Sequence, residues 1–311
     1  MTWFNNFEPR SFEVNGATIN ARVSKTVLGE VKKPALLLLH GFPQSHVMWH
    51  RVVQHLERDY FLVLPDLRGY GDSSKTPGLS DHSNYSKRNM AHDMALVMDA
   101  LGVDKFYLCG HDRGGRVAHR LALDYPAQVS KLCVIDIAPT LDMYDGNSLT
   151  APYMEFARAY YHWFAMLQPA PLPEIMMGAN HPETAKAYLH AKLGGWGSAG
   201  LGYIEPQALL DYERCFCNAK ALHTACEDYR ASAGIDLDHD RAGREKSEKL
   251  ACDTLVLWGV RGVVNRLFDP MALWQAQCSG VVSGKAMAAG HFIPEELPEE
   301  TALALRAFFV R

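Results

Sequence analysis

Two glycines either side of a carboxylate mark the first place where this sequence could do chemistry. The segment Phe106-Tyr107-Leu108-Cys109-Gly110-His111-Asp112-Arg113-Gly114-Gly115-Arg116 reads as a strand, a sharp turn and the start of a helix. Asp112 occupies the middle of the Gly-x-nucleophile-x-Gly spacing of a nucleophile elbow. Small flanking residues let the chain turn tightly enough to hold the side chain above a sheet edge, and the helix N-terminus beneath it favours negative charge. A carboxylate held there can attack carbon and form an ester. The plainer alternative, an aspartate capping a helix, explains neither the preceding strand nor the elbow glycines.

Arg113 and Arg116 stand three residues apart on the first turn of that helix and so share a face. Two guanidinium groups at a helix N-terminus oppose the macrodipole, so helix stability does not account for them. A surface pair would be the ordinary reading, but Arg113 directly follows the nucleophile and must lie near the site. An ionised Asp112 would repel an anionic substrate at short range. Two arginines can offset that repulsion by gripping a substrate carboxylate, with bidentate geometry available, and can keep the Asp112 pKa low.

Such a turn needs a sheet to stand on. Continuous apolar runs of strand length occur at Ala35–His40, Phe61–Leu64, Phe106–Cys109, Leu132–Ile135 and Thr254–Trp258, with helical patterns between them such as Arg88–Leu101 and Arg116–Tyr125. Unbroken runs of this kind fit strands buried on both faces, and together they predict a doubly wound, mostly parallel α/β sheet. Ser11–Lys25 alternates around Asn15-Gly16 and predicts a hairpin. From 140 to 240 the chain is rich in Tyr, Trp, Met and Pro and has no strand-like runs. That stretch predicts a helical cap inserted into a core made of 1–139 and 241–311, a lid able to exclude water and supply substrate contacts.

Composition adds exclusions. A formal net charge of −4 on 311 residues gives no general pull toward nucleic acid or anionic membranes. No apolar run is long enough to span a bilayer, and Met1–Val14 lacks the basic-then-apolar pattern of a secretory signal. The seven cysteines are scattered without a Cys-x-x-Cys pair, which predicts reduced thiols in a cytoplasmic protein rather than disulfides or structural zinc. The oligomeric state stays open, a homodimer included.

The motifs His40-Gly41-Phe42-Pro43, Asp66-Leu67-Arg68-Gly69-Tyr70-Gly71 and His111-Asp112-Arg113-Gly114-Gly115-Arg116 resemble those of the α/β-hydrolases of the dehalogenase and epoxide hydrolase branch, and most closely the fluoroacetate dehalogenases. The resemblance covers nearly the whole chain. The first two motifs specify little beyond the fold; the third, with its two arginines, is far more specific. Haloalkane dehalogenases and epoxide hydrolases usually carry Trp directly after the nucleophilic Asp, so Arg113 argues against both.

The resemblance implies the remaining roles. Backbone N–H groups of Phe42 and Arg113 would form the oxyanion site. His291, in Ala289-Gly290-His291-Phe292, would activate water against the ester, a task suited to imidazole near neutral pH. The acid that orients it should follow Thr254–Trp258, but Gly259–Asn265 holds no carboxylate. Asp136, in Val134-Ile135-Asp136-Ile137-Ala138-Pro139, takes that place in the fluoroacetate dehalogenases, and Asp269 is the alternative. In the lid, His162 and Trp163 of Tyr161-His162-Trp163-Phe164 and Tyr229 match positions that donate hydrogen bonds to a departing halide, and Trp196 matches a pocket wall.

The expected reaction is hydrolysis of a haloacetate to glycolate and halide through an aspartyl ester, with no metal or organic cofactor and a small haloacid as the substrate. Two alternatives stay open: an epoxide hydrolase or haloalkane dehalogenase of the same fold, and a non-catalytic carboxylate receptor, for which a nucleophile would be superfluous. The sequence does not decide between fluoride and the easier chloride and bromide, since fluoride needs a donor cluster placed to fractions of an ångström.

Overall fold

The computed structural model describes residues 2–25 and 33–309. Its chain opens with the expected hairpin, β1 (Phe7–Val14) and β2 (Ala17–Ser24). Asn15 (φ 47°) and Gly16 (φ 72°) both take the left-handed conformation that a two-residue hairpin turn requires. The other strands are β3 (Ala35–Leu39), β4 (Phe61–Pro65), β5 (Phe106–His111), β6 (Val129–Ile135), β7 (Asp253–Gly259) and β8 (Val282–Met287).

These strands form one eight-stranded sheet in the order β1-β2-β4-β3-β5-β6-β7-β8. β2 runs antiparallel to β1 and β4, and every other neighbouring pair is parallel. β3 is buried at every position, as its unbroken Ala-Leu-Leu-Leu-Leu run implies. β8 lies at the sheet edge and is mostly exposed, which is why its sequence has no such run.

Between β6 and β7 the chain forms helices and no strand. They are Thr140–Asp145, Tyr153–Ala159, Tyr161–Met166, Leu172–Met176, Pro182–Leu193, Pro206–Phe216, Ala219–Ala233 and Ile235–Glu245. Position 240 falls inside the last of these. The elbow helix, Asp112–Asp124, begins earlier than the apolar pattern from Arg116, because its first turn carries arginines and glycines instead of apolar residues.

The register brings the chemistry together. His111 pairs with Ile135, so Asp112 and Asp136 leave adjacent strands at the same level. Leu39 pairs with Gly110, which brings the loop after β3 alongside the elbow. All of these are carboxyl ends of parallel strands, where open α/β sheets bind ligands.

Candidate active site

Asp112 adopts φ 48°, a conformation that costs a non-glycine residue free energy and persists at sites where the surroundings fix it. The flanking glycines have a steric cause. A Cβ on Gly110 would lie 2.4 Å from the Gly114 carbonyl oxygen, and one on Gly114 would lie 2.3 Å from that of His40. The helix therefore packs against β3 and β5 more closely than any side chain permits. Asp112 Oδ1 accepts the Phe42 N–H at 2.9 Å. The loop bearing Phe42 is tied down in turn, because His40 Nε2 accepts the Leu67 N–H at 3.0 Å. The Arg113 N–H, the other expected donor, is not bonded to the carboxylate. Burial alone would raise the Asp112 pKa, but the neighbouring imidazole of His291, then His111 and the Arg113 and Arg116 guanidinium groups, outweigh it and hold the carboxyl below its usual value.

His291 Nδ1 lies 2.6 Å from Asp136 Oδ2, and its Nε2 faces Asp112 Oδ2 at 3.9 Å with no hydrogen-bond partner. Asp136, like Asp112, holds a positive φ (51°), and its Oδ1 accepts the Gly259 N–H at 3.0 Å. Burial would lower the His291 pKa, but its bond to Asp136 and the charges of Asp136 and Asp112 raise it above the ordinary value. Asp269 lies elsewhere and caps the helix Pro270–Gln277, accepting the Ala272 N–H at 3.0 Å. His111 also supports the imidazole, with Nε2 2.9 Å from the His291 carbonyl oxygen. Burial pushes His111 down to about 3, so it stays neutral and donates that proton.

Both elbow arginines are buried, and they are held differently from the bidentate grip that the sequence suggests. The Nε and Nη2 of Arg113 are already engaged with Asp228, at 3.0 Å to Oδ2 and 2.6 Å to Oδ1, leaving Nη1 buried without a partner. Arg116 Nη1 donates to Thr140 Oγ1 at 2.9 Å and the Ala138 carbonyl at 3.2 Å, and its buried Nε has no partner. Each arginine thus keeps one unused donor position.

Asp112, Arg116, Asp136, His291 and Val263, with Tyr160, His162, Trp163 and Trp196 from the helical stretch between β6 and β7, line one cavity. Trp196 forms a wall, its ring 5.0 Å from those of His162 and His291. Neither ring nitrogen of His162 has a partner. Burial, then the charges of Lys192, Arg113 and His291, hold its pKa well below the ordinary value, so it is neutral and carries one N–H. The Trp163 ring packs under the Arg116 guanidinium, with Cζ 5.0 Å from its centroid. Arg113 and Tyr229 do not line the cavity. They stack on each other, Arg113 Cζ lying 4.2 Å from the Tyr229 centroid, and the Tyr229 ring lies 5.7 Å from that of His162.

Tyr160 and Asp228 had not been singled out in the sequence. Tyr160 is 8% exposed while its neighbour Tyr161 is 52% exposed, and nothing in two adjacent tyrosines says which turns inward. Asp228 adjoins Tyr229, and the one available signal was that a buried Arg113 needs an acidic partner. Among the described residues no cluster of His, Cys, Asp and Glu could hold a metal ion, and no helix is long and apolar enough to cross a membrane.

The strand order, the elbow and the Asp112–His291–Asp136 arrangement define a class, and comparison with known proteins agrees. Residues 34–179 match the α/β hydrolase fold family. The chain is 41% identical over 307 residues to a fluoroacetate dehalogenase from a Burkholderia species, covering 98% of this chain and 94% of that one. It is 28% identical over 280 residues to a soluble epoxide hydrolase from Corynebacterium sp. (strain C12), covering 86% and 88%. A solved structure from Nostoc sp PCC 7120, described as an α/β hydrolase, superposes with a TM-score of 0.90 at 46% identity over 99% of both chains. The protein belongs to the α/β-hydrolase family.

Proposed function

We propose that this enzyme hydrolyses haloacetates through an ester on Asp112. The observation that carries the reading is the joint presence, in one small cavity, of the Asp112 carboxylate and the Arg116 guanidinium with an unused Nε donor. A substrate carboxylate gives that unused donor an anionic acceptor, which a neutral substrate lacks. The fluoroacetate dehalogenase relative supports the same chemistry.

In the first step Asp112 Oδ2 bonds to the substrate α-carbon as the carbon–halogen bond breaks on the opposite face. The carbon inverts, and the halogen leaves with the bonding pair as halide. The neutral His162 N–H and the Trp163 indole N–H, both at the cavity, donate to it, while Arg116 holds the carboxylate, with Tyr229 and Arg113 stacked beside His162. Oδ1, already bonded to the Phe42 N–H, becomes the ester carbonyl oxygen. In the second step His291 takes a proton from water as the water oxygen adds to the Asp112 carbonyl carbon. Collapse of that adduct expels glycolate, which takes its proton from His291, and the other water proton leaves the new Asp112 carboxyl to solvent, restoring the carboxylate. The helices of 140–240 act as the lid. All seven cysteines are free thiols, in keeping with a reducing, cytoplasmic setting.

Halide release from chloroacetate, fluoroacetate and a neutral chloroalkane, assayed side by side with diol formation from a terminal epoxide, tests the reading. Turnover confined to the acids supports it. Preferential turnover of the epoxide would favour the activity of the Corynebacterium relative, and no turnover of any of the four would favour a carboxylate receptor.

A further inference from the structure

Opening the Asp112 ester makes a demand on the cavity that forming it does not. A water must stand between His291 Nε2 and the Asp112 carboxyl carbon. One hydrogen bond leaves a water free to turn about it, and ordered buried waters have about three partners. His291 Nε2, which has no partner in the protein, takes one O–H. The second O–H needs an acceptor.

The groups lining the cavity offer few. Arg116 and the indoles of Trp163 and Trp196 can only donate. His162 serves the halide in the mechanism above. Asp136 is bonded to Nδ1 at 2.6 Å, on the other side of the imidazole from Nε2, and so does not reach a water at Nε2. Asp112 is the group under attack. The Tyr160 hydroxyl remains.

Tyr160 is held at the junction of two short lid helices. Its N–H donates to the Phe156 carbonyl at 2.8 Å, closing the helix Tyr153–Ala159, and its carbonyl accepts the Trp163 N–H at 2.8 Å, opening Tyr161–Met166. Its ring packs against those of Phe156 and Trp163, with centroids 4.9 and 4.8 Å apart. The hydroxyl bonds to none of the described residues. Tyr60 and Tyr144 also leave their hydroxyls unbonded, but neither lines the cavity, so it is the location that distinguishes Tyr160. Burial, then the charge of Asp136, push its pKa up, and the phenol stays neutral with lone pairs to offer.

We propose that the Tyr160 hydroxyl accepts the second O–H of the hydrolytic water and so turns the water's lone pair toward the Asp112 ester carbon. Only His291 takes a proton from that water; Tyr160 keeps its own and receives none. Its hydroxyl therefore serves the second half of the reaction and not the first. The proposal rests on the reading that the enzyme works through an ester on Asp112.

The test follows single turnovers of chloroacetate by excess enzyme, for wild type, Tyr160→Phe and Tyr161→Phe. Halide release, the Asp112 adduct by quenching and intact mass, and glycolate are measured separately, with acetate titrations reporting carboxylate binding. Phenylalanine at 160 keeps the ring and strands no protein partner, so the thermal midpoint should hold. For Tyr160→Phe, halide release should stay within about threefold of wild type while adduct decay and glycolate formation slow by about tenfold, the worth of one hydrogen bond. Tyr161→Phe, which removes an exposed hydroxyl, should move neither. Halide release slowed as much as adduct decay, acetate binding weakened by a similar factor, or adduct decay unchanged would each overturn the proposal. Wild-type enzyme that releases no halide, or releases it without any adduct, would instead overturn the reading beneath it.

Discussion

The Phe42 N–H donates to Oδ1 of Asp112 at 2.9 Å, and this one bond makes the two carboxylate oxygens unequal before any substrate arrives. Oδ1 is held by the loop after β3. Oδ2 faces the cavity, 3.9 Å from His291 Nε2, too far for a direct hydrogen bond. In the proposed mechanism Oδ2 attacks, and Oδ1, already bonded to the Phe42 N–H, becomes the ester carbonyl oxygen.

If His291 serves only the second step, its loss should separate the two halves of the reaction. His291→Gln is expected to release about one halide per enzyme from chloroacetate and then stop, because water is no longer activated. Intact-protein mass spectrometry should find one carboxymethyl group added, mapping to Asp112. Continued turnover without an adduct would argue against the assignment.

Asp136 and Asp112 hold the His291 pKa above the ordinary imidazole value, and the base must be neutral to accept a proton. Activity should therefore appear as pH rises through a value above 6.5. In Asp136→Asn the raising partner is gone and burial lowers the pKa, so the acid limb of the kcat profile should move to lower pH while kcat falls by about a thousandfold or more. A limb that stays in place would show that another group controls it.

Arg116 has no acidic partner to strand when it is removed. Arg116→Met is expected to raise KM for chloroacetate by about ten- to a hundredfold, the value of a charge-assisted hydrogen bond, with a much smaller change in thermal midpoint. Steady-state kinetics and a melting curve on the same preparation check both parts.

Away from the chemistry, burial pushes the Glu295 carboxyl up to about 8 against the opposing hydrogen bonds from Tyr212 and Gln44. It joins the His291 loop, the Phe42 loop and the lid helix Pro206–Phe216. Between pH 4.5, its ordinary value, and pH 8 the folded chain keeps this proton and the unfolded chain has lost it, so stability falls as pH rises through that window. Glu295→Gln should flatten the decline, raising the thermal midpoint near pH 8 more than near pH 4. An equal shift at both ends would mean that Glu295 is ionised in the folded chain.

Asp112 and the parallel sheet were legible because both leave dense local signals: glycines forced by close packing, and unbroken apolar runs buried on two faces. Asp136 was visible only through the missing carboxylate after β7 and a family resemblance. The structure adds the physical arrangement, in which β6 ends at the level of the elbow and Gly259 donates its N–H to Asp136. The lid was legible as helical but not in detail. Which of Tyr160 and Tyr161 turns inward depends on the helix interruption at Tyr160, between Tyr153–Ala159 and Tyr161–Met166, and the Asp228–Arg113 pairing joins residues 115 positions apart with no local pattern. Tertiary ion pairs of that kind are set by packing and leave no periodicity to read.

The central claim is that Asp112 forms a covalent ester whose carbonyl, not the substrate carbon, is attacked by water. A single turnover of chloroacetate by excess enzyme in heavy-oxygen water tests it most directly. The account requires label in the Asp112 carboxylate and unlabelled glycolate after that first turnover. Labelled glycolate with an unlabelled Asp112 would mean that water displaces the halide directly, and the proposed mechanism would be wrong.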